Sequence, residues 1–105
     1  MQVIKSKDMV GEINMRGVSA VHLINETHTR VTKITMHPGD EVPAHDVPVE
    51  VFFFVIQGKG TIQIGEELAI VEAQDLVLCP MNTKMSLRAD QGDTFVVLNV
   101  KTPNF

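Results

Sequence analysis

The stretch PGDEVPAHDVPVEVFFFVIQGKG, Pro38 to Gly60, decides how the chain is read. Its second half contains VEVFFFVIQ (Val49 to Gln57), which is apolar on both faces except at Glu50. That is the pattern of a strand covered on both sides. The tight turn QGKG and the run GTIQIG (Gly60 to Gly65) follow, so the segment reads as a hairpin. The first half, Pro38 to Pro48, reads as an irregular loop with one histidine, His45. Loops of that length often carry function.

Working outward from the hairpin, similar short runs recur, cut by Gly, Pro, Asn and Asp. They are Gln2 to Lys5, Val18 to Asn25, Arg30 to His37, Leu68 to Glu72, Asp75 to Pro80, Lys84 to Ala89 and Thr94 to Lys101. Nowhere do apolar residues recur at helical spacing over three turns. About nine short strands joined by turns predict an all-β sandwich or barrel. The 105 residues form one domain, 1–105, with its core at about 18–101.

Hydrophobic residues make up 44% of the chain, enough for a modest core. The net charge is −4 and no basic block exists, which argues against a nucleic-acid partner. No run reaches membrane-spanning length, and MQVIKSKDMVGEINMRG lacks the apolar core of a signal peptide. With one cysteine, Cys79, the expectation is a cytoplasmic protein without disulfides. There is no Trp or Tyr, which disfavours ligands that stack on such rings. The two-faced apolar strand at Val49 to Gln57 needs a second cover on its outer side, so a homodimer is expected.

The order of landmarks resembles the cupin superfamily of small jelly-roll, or double-stranded β-helix, barrels. The first cupin motif is G-x5-H-x-H-x3,4-E-x6-G. Here Gly39, His45 and Gly58 fall in place, and Gly60 supplies the usual second glycine. The second motif is G-x5-P-x-G-x2-H-x3-N, and Pro80 falls in place. The resemblance covers nearly the whole chain. It departs from the family at the chemistry: Val47, Val51 and Met85 stand at three of the four metal-ligand positions. Gln74 and Asn82 stand at the second motif's glycines, and Ala89 at its asparagine.

Side chains two apart share a strand face, so Val51, Phe53 and Val55 point into the barrel if the ligand positions do. Glu50 then falls on the other face with Phe52 and Phe54, unless a bulge near Pro48 turns it inward as a metal ligand beside His45. Paired at the rim or across a dimer seam, Glu50 is a structural ion-pair residue. Met85 binds hard or borderline metals poorly and fills core gaps well. Cys79 ends a buried strand and reads as a small hydrophobe. His22, His28 and His37 show no H-x-H or H-x3-H spacing and read as surface or edge residues, with His37 nearest the barrel mouth. Lys59 sits in a hairpin turn rather than a phosphate loop, because the P-loop spacing is missing. Ser6, Ser19 and Ser86 belong to no nucleophile motif.

These residues lead to one expectation and two alternatives. The expectation is a metal-poor barrel that binds a small, partly apolar organic molecule as a sensor or carrier. Its pocket would be lined by His45, Val47, Val51, Phe53 and Met85. The first alternative is a divalent-transition-metal enzyme of dioxygenase, isomerase or decarboxylase type, with a variant site at His45 and Glu50. The second is a structural homodimer whose barrel is filled by its own side chains.

Overall fold

A computed structural model of the chain describes residues 1–9, 11–13, 18–90 and 92–105. Ten strands run through them: β1 (Glu12–Ile13), β2 (Ser19–Glu26), β3 (Thr29–Met36), β4 (Glu41–His45), β5 (Glu50–Gln57), β6 (Lys59–Ile64), β7 (Glu67–Glu72), β8 (Leu76–Cys79), β9 (Met85–Ala89) and β10 (Phe95–Thr102). They pair antiparallel in two sheets, a six-stranded one in the order β1-β2-β3-β10-β5-β8 and a four-stranded one in the order β4-β9-β6-β7. This is the expected all-β jelly roll. Its core joins both sheets, with Phe53, Phe95, Met36, Ile62 and Met85 the largest fully buried side chains.

β5 behaves as its sequence dictates. Val51, Phe53 and Val55 are buried, whereas Phe52 and Phe54 are half-buried on the outer face. That outer face continues across the sheet: Phe52 lies between Leu78 and Val100, and Phe54 between Leu76 and Leu98. Leu76 and Leu78 are 65% and 77% exposed.

Two expectations about strands are corrected. Gln2 to Lys5 forms no strand; it leads into a single 3-10 turn at Ser6–Asp8. The segment read as an irregular loop contains β4, which pairs with β9. Pro43 hid that strand. It is tolerated because β4 is the edge of its sheet, where one row of backbone donors is not needed for pairing.

The turns preserve the backbone of both motifs even where the glycines are gone. Gly39 and Gly58 have φ of 88° and 79°, and Gln74 and Asn82 have φ of 79° and 60°. Gln74 and Asn82 are the two residues at the second motif's glycine positions, so the chain holds ordinary side chains in the left-handed region there. Gly58 is required twice over, since a Cβ would also lie 2.0 Å from the Thr94 carbonyl oxygen. No helix is long and apolar enough to cross a membrane among the described residues.

Candidate functional site

Strands β2, β3 and β10 lie side by side, and their inward residues change character in step. At one level Val97 opposes Ile34, which opposes Ala20. Two residues along, Asn99 opposes Thr32, which opposes His22. Two further, Lys101 opposes Arg30. A rise of about 3.3 Å per residue sets these levels roughly 7 Å apart. The wall is therefore apolar at one end, polar in the middle and cationic at the other.

This wall bounds a lumen of about 650 Å³. The four-stranded sheet supplies Val42, His45 and Leu87 to the opposite side, and Gly11 and Ile13 approach from the β1 end. Among the described residues the lining includes His22, Arg30, Thr32, Asn99 and Lys101 but no Asp or Glu.

Hydrogen bonds fix the polar level. Arg30 donates from Nη2 to His22 Nε2 at 2.7 Å, so that ring nitrogen is an acceptor. The other, Nδ1, then carries the proton and donates to Thr32 Oγ1 at 2.8 Å. His22 is accordingly a neutral imidazole. Burial, then the charges of Arg30 and Lys101, push its pKa below the ordinary 6.5. Arg30 Nη1 donates to the Phe105 main-chain oxygen at 2.8 Å, and Lys101 Nζ reaches the same oxygen at 3.5 Å. Asn99 is only 6% exposed, and its Oδ1 has no hydrogen-bond partner among the described residues. Arg30 Nε is likewise buried without one.

His45 reaches the lumen through an irregularity. Val42 and His45 are three apart and would face opposite ways on a regular strand. The register of β4 against β9 shifts between them, and both line the cavity. The His45 Nδ1 donates to the Pro43 carbonyl at 3.1 Å. The chain does use a bulge near its motif histidine, but upstream of it. From Glu50 to Phe54 the pairing with β10 runs in unbroken step. Glu50 is exposed, on the face opposite Val51 and Phe53, so the condition under which it would join His45 is not met.

The other sequence candidates lie in packing. Val47, Val51, Phe53 and Met85 belong to the buried core cluster, and of the five residues read as pocket lining only His45 touches the lumen. Met85 is the direct register partner of His45. The donor set among the described residues does not match the four-ligand pattern of a family-type metal site. Among the described residues no group of three or more His, Cys, Asp or Glu could hold an ion, and both nitrogens of His22 are engaged. Cys79 is a buried free thiol whose pKa burial raises, with Glu50 adding to the rise. His37 is exposed beside Asp40 at 3.7 Å, and His28 is exposed.

His22, read as a surface or edge residue, is exposed on β2 and also lines the mouth of the lumen. Arg30, Thr32, Asn99 and Lys101 were not singled out from sequence. The available signal was TFVVLNVK, where Phe95, Val97, Asn99 and Lys101 share one face and run from apolar to charged. An asparagine in mid-strand is itself disfavoured.

No curated protein sequence matches the chain significantly. Solved structures share its fold. A predicted oxalate decarboxylase from Thermotoga maritima is similar at a TM-score of 0.86 and 19% identity, over 97% of this chain and 99% of that one. KdgF from a Halomonas species is similar at 0.82 and 14% identity, over 97% and 94%. An RmlC-like cupin family protein with a double-stranded β-helix fold, from Methanocaldococcus jannaschii, is similar at 0.79 and 20% identity, over 99% and 92%. The family model for the cupin domain matches residues 32–101, from the polar level of β3 to the last cationic residue of β10, and the chain belongs to the cupin family.

Proposed function

We propose that this cupin binds a small, partly apolar organic molecule in its lumen, without a metal ion, as a sensor or carrier. The observation that carries the reading is the lumen of about 650 Å³, which falls within the size of small-molecule sites and mixes apolar walls with a few polar groups. That volume weighs against a barrel filled by its own side chains. The enzyme alternative loses its carboxylate, because Glu50 is on the outer face. The likeness to a predicted oxalate decarboxylase and to KdgF, at 19% and 14% identity, speaks for the fold alone.

The reading includes a second copy of the chain on the outer face of the six-stranded sheet. Phe52, Phe54, Leu76, Leu78, Leu98 and Val100 meet there in register, with no charged side chain between them. A face of this make-up is self-complementary, as a two-fold interface requires. A cytoplasmic setting fits the single free thiol.

The test is a fragment-library titration of ¹⁵N-labelled protein. Bound fragments are expected to shift the amides of Thr32, Ile34 and Leu87. The same shifts should vanish in Ala20→Phe, which places a ring in the lumen. A library that leaves those amides unmoved at millimolar concentration refutes the reading.

A further inference from the structure

We infer that His22, Arg30 and the Phe105 end of the tail form a pH-sensitive latch at the mouth of the lumen. A proton on His22 detaches Arg30, and with it Phe105, while Asn104 keeps the rest of the tail in place. The inference does not depend on what the lumen binds.

The latch is a continuous chain of hydrogen bonds. After β10 the tail returns to the β2–β3 turn, where Asn104 Nδ2 donates to Asn25 Oδ1 at 2.6 Å and to the Glu26 carbonyl at 2.8 Å. One residue on, the Phe105 main-chain oxygen accepts from Arg30 Nη1 at 2.8 Å, with Lys101 Nζ at 3.5 Å. Arg30 donates a second time, from Nη2 to His22 Nε2 at 2.7 Å, and His22 Nδ1 donates to Thr32 Oγ1 at 2.8 Å. His22, Arg30, Thr32 and Lys101 all line the lumen, and His22 is exposed, so these bonds lie at its solvent end.

The chemistry of the ring makes the arrangement depend on protonation. A guanidinium only donates, so its contact with Nε2 lasts only while that nitrogen keeps a lone pair. A proton there turns the acceptor into a donor and sets one cation against another. One side must then move. The imidazolium keeps its Nδ1–H bond to Thr32, and that bond becomes charge-assisted and stronger. Thr32 is 9% exposed and sits mid-strand, so the ring is anchored from the buried side. Arg30 hangs on a long flexible stem, and its guanidinium gives way. The Phe105 oxygen is left with the longer Lys101 contact. The two bonds of Asn104 involve an amide and a main-chain carbonyl, neither of which titrates, and they persist.

Among the described residues, the charged groups acting on His22 are Arg30 from β3 and Lys101 from β10, and both disfavour its proton. His45 of β4 lines the same lumen from the other sheet, and Glu12 of β1 stands opposite Ala20, two residues along β2. The latch is closed at neutral pH and opens below the ordinary histidine value of 6.5.

The test is a pH titration of the ¹⁵N-labelled 105-residue protein, from about pH 7.5 to about pH 4.5, which spans a lowered histidine pKa. The His22 ring is followed by its Cε1 proton. The Phe105 amide should be ordered at the upper end, with an order parameter of about 0.8, and should fall below about 0.6 at the lower end. Its midpoint and that of the Arg30 Nε–H signal should coincide with the His22 ring's. The Asn104 amide should stay ordered throughout. In His22→Gln the side chain takes up no proton, and the Phe105 amide should keep one order parameter across the range. Arg30→Gln should leave Phe105 loose at both ends. A Phe105 amide that stays ordered through the His22 midpoint overturns the latch. So does one that loosens at another group's midpoint, or loosens equally in His22→Gln. Should His22→Gln lose its dispersed spectrum, the midpoints in the unmodified protein decide the matter alone.

Discussion

Asn99→Leu should make the ligand-free protein more stable. The residue sits mid-strand in β10, between β3 and β5, opposite Thr32 and Phe53. It is 6% exposed with an unpartnered Oδ1. A buried acceptor without a bond costs about 1–3 kcal/mol, and replacing it by an apolar group of the same shape removes that penalty. Leucine has nearly the shape of asparagine, lacks the amide, and is better suited to a strand. Allowing for imperfect fit beside Phe53, the net gain is about 1–2 kcal/mol. For a domain near this size, each kcal/mol moves the melting temperature by roughly 4–8 °C. Urea titration at neutral pH should show a higher midpoint with an unchanged slope, since the surface exposed on unfolding is the same. An unchanged or lowered midpoint would refute the reasoning. It would mean that the amide is bonded in the free protein and holds the strand rather than a ligand.

Five other outcomes are expected. Gly39→Ala should lose only the left-handed backbone preference, about 1–2 kcal/mol, because nothing lies within 4 Å of its Cβ site. Gly58→Ala should lose more by roughly 1–3 kcal/mol, the scale of overpacking, as its Cβ meets Thr94; equal losses in urea titrations would show that the contact does not matter. Gln74→Gly should stabilise by about 0.5–1 kcal/mol, the strain released at φ 79° less the extra entropy of the unfolded glycine, and a loss would show that the side chain contributes more than the backbone strain. The unfolded chain takes up a proton on His22 before the folded chain does, because the folded pKa lies below 6.5. Stability should therefore fall as pH drops below about 6.5, and His22→Gln should flatten that limb of the pH–stability curve. Cys79 has its folded pKa raised above 9.0, so the unfolded chain gives up that proton first and stability should fall as pH rises past about 9, a limb absent in Cys79→Ala.

The outer face gives a further check on assembly. Leu78→Lys places a charge in the apolar rows, and sedimentation should show a dimer for the unmodified chain and a monomer for the variant. A monomer in both would remove the second copy from the account.

The strands of the barrel were legible because their signals are local. Val49 to Gln57 alternates as its burial does, and the turn glycines announce the hairpin. β4 was not legible, because Pro43 and the flanking Pro and Asp residues speak for a loop, and only its edge position allows the pairing. The motif comparison pointed to Val47, Val51 and Met85, residues that replaced the family's ligands, and those proved to be core. The lumen's polar side lies on β2, β3 and β10 instead. Asn99, Thr32 and His22 come from three separate strands and become one level only through register between them, which no local pattern fixes. The shift inside β4 that turns His45 inward is likewise a property of pairing rather than of sequence.

The most direct measurement is the elemental content of untagged protein, and of His45→Ala, after incubation with iron, manganese, zinc and copper and removal of the excess. An organic-ligand lumen with a single family ligand, His45, predicts no metal near stoichiometry in either protein. Near-stoichiometric metal in the unmodified chain that disappears in His45→Ala would contradict the account and restore a metal centre to this barrel.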